Sequence, residues 1–144
     1  MSQNNAENGG IFINGKKQVV ELLQRMDASD KTKLLKNIRL KNPTLAKELT
    51  EECLSFESIW DLNDESLKTV LSQTKPAILG LALSLCHVKN QRRALSLISR
   101  EMALKAFDIL QKDLTSNRNE CIRAQQKILE LAMGLNRSRI IQFY

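Results

Sequence analysis

Only two prolines and five glycines interrupt the 144 residues, aromatic side chains make up 4%, and there is a single histidine. So few helix breakers exclude collagen-like and low-complexity classes and leave long stretches free to coil. One histidine, His87, excludes histidine pairs at metal spacing. There is no glycine-rich phosphate loop and no nucleophile elbow, so the chain is read as non-enzymatic and without a cofactor. Cys53, Cys86 and Cys121 stand more than thirty residues apart. That count and spacing suit neither a disulfide framework nor a zinc cluster, and the three are read as reduced core thiols. His87 adjoins Cys86, but helix neighbours point about 100° apart, so the two are taken as a core thiol and a boundary histidine rather than a catalytic pair. No apolar run reaches the roughly 18 residues that span a bilayer, so no transmembrane segment is expected. The opening "MSQNNAENGG" lacks the basic-then-apolar order of a secretory signal, which points to the cytoplasm.

What is present is apolar periodicity at helical spacing. Val19, Val20, Leu22, Leu23 and Met26 form one such set, broken at Asp27. Ser29 or Asp30 is expected to cap a second helix bearing Leu34, Leu35 and Ile38. In "NPTLAKEL", Asn42 is an N-cap and Pro43 occupies the first helical position, where a missing N–H loses nothing. After a break at Ser55, Ile59, Trp60 and Leu62 suggest one short turn, and Asn63 or Asp64 caps the next helix. "PAILGLALSLC" is apolar almost all round and belongs at a domain centre. Two amphipathic segments follow. Asn117 and Glu120 suggest a capping box for a long last helix, which Gly134 should end. No stretch alternates with period two. The expectation is all-α, with eight or nine mostly short helices in stacked layers.

The charge is unevenly spread. Residues 1–76 carry eleven basic and eleven acidic side chains, whereas residues 77–144 carry eleven and five, so the whole net charge of +6 lies in the second half. Lys89, Arg92, Arg93 and Arg100 could meet phosphates, but residues 87–105 offer no aromatic on which a base would stack. A nucleic-acid site is therefore the weaker reading beside a solvated helix face. Within "REMALKAFDILQKDL", Glu101, Lys105, Asp108 and Lys112 recur at spacings 4, 3 and 4 and form a ridge of alternating sign. Same-helix pairs Glu101–Lys105 and Asp108–Lys112 explain it. Registration against a second charged helix explains it equally.

"NPTLAKELTEECLSFESIWDLNDESLKTVL" resembles the C-terminal region of the flagellar rotor protein FliG, with Pro43, Leu45, Phe56, Glu57, Ile59, Leu62, Asp64 and Ser66 in register. "LALSLC" and "AQQKILELAMGL" are similar to later family segments, and the resemblance spans roughly residues 15–135. It implies an armadillo-like subdomain over 15–55 and a distal helical subdomain over 56–135. A disordered segment over 1–14 and a tail over 136–144 flank them. The family's Met-Phe-X-Phe hinge falls on Cys53, Leu54, Ser55 and Phe56. The family further implies a charged helix that meets the cytoplasmic loop of the stator subunit MotA or other rotor proteins, at the membrane-associated motor. Aligned on "DIL", the family's torque-helix arginine falls on Lys105 and its acidic pair on Lys112 and Asp113; aligned on Ser99, the arginine falls on Glu101. Ser84 stands where the family has a lysine, and "TSNRNECIR" replaces a Gly-Pro-Val loop. Lys89, Arg92, Arg93, Arg100, Glu101, Lys105, Asp108, Lys112 and Asp113 are the candidate partner contacts. A small basic nucleic-acid binder and a self-associating structural paralogue are the alternatives, and the oligomeric state is open.

Overall fold

A computed structural model describes residues 16–143, all of whose regular elements are helical. The segment expected to be disordered, 1–14, lies outside them. The chain divides into two compact units between Leu54 and Ser55.

The first unit holds α1 (residues 16–25), α2 (Ala28–Lys41) and α3 (Pro43–Cys53). Its core is Val20, Leu23, Leu35, Ala46, Leu49 and Cys53. The cap of α2 is Asp27, not Ser29 or Asp30. Its extended backbone aims the carboxylate at the N–H of Asp30, 2.8 Å away, so Asp30 donates to the cap instead of being one. Asn42 alone joins α2 to α3. Its N–H reaches back to the Ile38 carbonyl at 2.7 Å, and its side chain accepts from Leu45 N at 3.1 Å, with Pro43 next in line. Lys16 ties α1 to α3 through Glu48 and Glu52, each at 3.0 Å.

The second unit begins with a 3-10 turn, Phe56–Asp61, followed by α4 (Asp64–Ser72), α5 (Pro76–Leu83), α6 (Val88–Leu97) and α7 (Arg100–Leu110). A second 3-10 turn, Thr115–Asn117, leads into α8 (Arg118–Arg137). Asn63 caps α4 by accepting from Ser66 N at 2.8 Å. The apolar helix α5 sits between α7 and α8, and α4 packs on α6 and α8. Leu79, Ala82 and Leu83 of α5 are fully buried, as expected of a helix without a polar face. The approach of α5 to α7 depends on Gly80: a Cβ there would lie 2.6 Å from Cβ of Ile109 and 2.7 Å from the Ala106 carbonyl oxygen.

Two expectations for α8 fail. Asn117 makes no side-chain cap, because its Oδ1 is met by the Ser116 hydroxyl at 3.3 Å and its backbone belongs to the preceding 3-10 turn. Gly134 does not end the helix. Ala132 and Leu135 on either side are buried and hold it in register to Arg137, and Arg139 takes the left-handed conformation, φ 61°, that a terminating glycine would have taken. The segment expected as a tail folds back: Ile141 and Phe143 are buried, and Phe143 N donates to Asn136 Oδ1 at 3.2 Å.

Candidate functional site

Ser99 starts α7 by accepting from Met102 N at 3.3 Å. Small side chains face inward, with Ala106 fully buried. Glu101, Lys105 and Asp108 are exposed on the opposite face. The Glu101–Lys105 pair forms at 3.2 Å. Both partners are well exposed, so it contributes only a few tenths of a kcal/mol, ~0.3–0.5 for an i,i+4 pair. The expected Asp108–Lys112 pair is absent, since α7 stops at Leu110 with Gln111 as its cap. The physical reason lies just beyond. The Asp113 carboxylate accepts the Thr115 N–H at 3.1 Å and also the Thr115 hydroxyl, starting a turn that competes with further helix. Those bonds, the hydroxyl first, hold the Asp113 carboxyl below its ordinary range. Lys112 and Asp113 therefore leave the ridge and line an open groove of about 500 Å³ with Ser84, Leu110, Thr115 and Arg118.

The basic residues of α6 part company. Lys89 and Arg92 are exposed, whereas Arg93 turns inward. Its Nη1 donates to the Trp60 carbonyl at 2.8 Å and Nη2 to the Leu62 carbonyl at 2.7 Å. Nε and Nη2 both reach Asp64 Oδ1, at 3.1 and 3.0 Å. Arg93 is thus a clamp that ties α6 to the end of the 3-10 turn and the start of α4. Sequence spacing offered no hint of it, because Asp64 lies 29 positions away. Arg100 opens α7 and is exposed.

Cys86 and His87 do not act on one another. The Cys86 thiol donates to the Ala82 carbonyl at 3.3 Å and is pushed up to about 12, by burial first and the nearby Glu57 charge second. His87 Nδ1 instead accepts from Lys89 N and caps α6. Ser84, where the resemblance expects lysine, bonds the Leu81 carbonyl and Cys121 Sγ.

Of the four residues aligned with the family's hinge, Cys53 closes α3 and is buried, its thiol directed at the Val20 carbonyl at 3.7 Å. Leu54 and Ser55 are extended, with φ/ψ of −73°/132° and −131°/172°. Phe56 opens the 3-10 turn, buried, its ring 6.0 Å from that of Trp60 in an edge-to-face contact. Among the described residues no helix is long and apolar enough to cross a membrane.

Two units of short helices, the second packed around one buried apolar helix with a charged helix on its outside, define an all-α protein. The family of the FliG C-terminal domain matches residues 36–143, and the chain belongs to it. Among curated proteins, the flagellar motor switch protein FliG of Borreliella burgdorferi is 26% identical over 125 residues, covering 84% of this chain and 35% of that protein. FliG of Thermotoga maritima is 25% identical over 123 residues, covering 85% and 37%. This chain thus spans little more than a third of the length of these relatives. Among solved structures, FliG residues 116–343 from H. pylori superpose with a TM-score of 0.61 at 22% identity, over 88% of this chain and 56% of that one. Full-length FliG from Aquifex aeolicus gives 0.54 at 22% identity, over 92% and 43%. These structural likenesses bear on the fold.

Proposed function

We propose that the protein is a binding module without catalytic activity. It works on the cytoplasmic side of a flagellar motor or a machine derived from one, and α7 with the loop after it faces a protein partner. The observation that carries this reading is the exposed Glu101–Lys105–Asp108 face in a chain whose family covers 36–143. Lys112 and Asp113, in the loop that leaves the ridge, and Arg100, on the neighbouring stripe of α7, are exposed beside that face, and Lys89 and Arg92 add positive charge from α6. Arg93 serves the fold rather than the partner. The charge excess of the second half favours a partner loop with more acidic than basic residues, because complementary potential sets orientation and encounter rate. The extended pair Leu54–Ser55, between Cys53 and Phe56, acts as the hinge. Capture of a stator cytoplasmic loop by the immobilised protein, at rising salt, tests the proposal. Retention should fall as salt screens the charges and be lost in Lys105→Glu/Lys112→Glu; retention indifferent to both would refute the electrostatic contact.

A further inference from the structure

Beside the charged ridge, α7 carries a second exposed stripe that the charge pattern hides. Arg100, Leu104, Phe107 and Gln111 recur at spacings 4, 3 and 4, the repeat of a helix–helix seam. All four are exposed, Leu104 by 59% and Phe107 by 44%. Gln111, although it caps the helix, keeps helical backbone angles of −74° and −14°, so it continues the stripe. Two adjacent large apolar side chains flanked by an arginine and an amide suit contact with another helix better than water.

We propose that this stripe pairs with its own copy, two α7 helices running antiparallel about a two-fold axis. The sequence of the stripe chooses the occupant. With the axis between Leu104 and Phe107, Leu104 of each copy lies opposite Phe107 of the other, and Arg100 lies level with Gln111. Asp108, one turn before Gln111, then comes within reach of Arg100 and Lys105 of the other copy, twice over by symmetry. Neither Arg100 nor Asp108 has an ion-pair partner among the described residues, so both are available. A parallel, in-register pair would set Arg100 against Arg100 and Asp108 against Asp108, and is disfavoured by like charge. One helix of 11 residues cannot bury a standard interface, so the dimer is weak and concentration-dependent. The inference goes beyond the partner-facing reading and does not depend on it.

Sedimentation velocity of the purified chain from about 10 μM to about 1 mM tests it without any second protein. A monomer–dimer equilibrium is expected. Phe107→Ser should abolish it with the helical circular dichroism nearly unchanged, since the side chain lies outside the buried core. Arg100→Asp and Asp108→Arg should each weaken it by about tenfold or more, because each puts like charges across the axis. An equimolar mixture of those two variants should associate more than either variant alone, since both contacts between positions 100 and 108 are then pairs of opposite sign, although the arginine introduced at position 108 still faces Lys105. A chain that stays monomeric throughout, association that survives Phe107→Ser, or a mixture that behaves as the sum of its parts would each overturn the proposal. Failure here leaves the stator-loop reading standing, and failure of loop capture leaves this one standing.

Discussion

Helices α5 and α7 lie against each other and have opposite characters. Apolar residues make up nearly all of α5, which is buried between neighbours, whereas α7 divides its circumference between a small-residue inner face and an outer face of charge and exposed Leu104 and Phe107. A helix buried on all sides is held by packing, and one with a free face can change that face at little cost to the fold. The contact between them should therefore be the most sensitive point of the second unit. Gly80→Val would drive side-chain atoms into Ile109 and the Ala106 carbonyl, with the first Cβ contact already at 2.6 Å. Overpacking of this kind destabilises by about 1–3 kcal/mol or more, because the main chain of one helix must move. A thermal melt should show the largest fall of any substitution considered. Leu104→Ser, on the outer face of the partner helix, should leave the melt nearly unchanged. Equal losses would erase the distinction.

Arg93 sharpens the comparison from α6. Its guanidinium satisfies the carbonyls of Trp60 and Leu62 and engages Asp64, all at 2.7–3.1 Å. Arg93→Ala should lower stability by about 1–3 kcal/mol, as expected when charge-assisted bonds are lost and their acceptors left unmet. Arg93→Lys should recover little, since one ammonium cannot reproduce the fork. By contrast Arg92→Ala, one residue away and exposed, should fall within about 0.5 kcal/mol of the parent in a urea titration.

How much of this was legible beforehand follows the range of each interaction. Caps at Asn42 and Asn63 bond a residue three positions on, so composition and spacing reveal them. Burial of α5 was legible because a helix with no polar face has only one place to go. The Arg93 clamp was not, since its partners stand 29 to 33 positions away and periodicity carries no information at that separation. The ridge on α7 was half legible. Glu101 and Lys105 pair as their spacing requires, but Thr115 captures Asp113 and ends the helix before Lys112 can join. At Gly134 a local rule lost to packing on both flanks.

That last case yields a prediction of opposite sign. Gly134 lies within α8, is exposed, and a Cβ there would meet nothing within 4 Å. Gly134→Ala should raise stability by about 0.5–1 kcal/mol, by removing backbone freedom from the unfolded chain. Gly80→Ala and Gly134→Ala thus make the same chemical change, one against a packed helix and one in water. A rise in the chemical-denaturation midpoint for one and a fall for the other would show that contact, not helix propensity, decides.

The smallest effect is expected where α7 gives way to its loop. The Thr115 hydroxyl, and then its N–H, stabilise the charged form of Asp113 and hold its carboxyl below the ordinary range. Unfolding removes both donors, so the unfolded carboxyl takes up its proton at a higher pH than the folded one. The contribution is complete above the unfolded value of about 4 and disappears as pH falls through the folded one. Asp113 is solvent-exposed, so screening keeps the contribution small. Urea midpoints measured between about pH 6 and pH 3 should fall slightly more steeply in the parent than in Asp113→Asn, which has no charge to lose. The gap should narrow at high salt. Parallel pH profiles would mean that the Asp113–Thr115 turn contributes through geometry alone, and the early stop of α7 would then owe nothing to the carboxylate's charge.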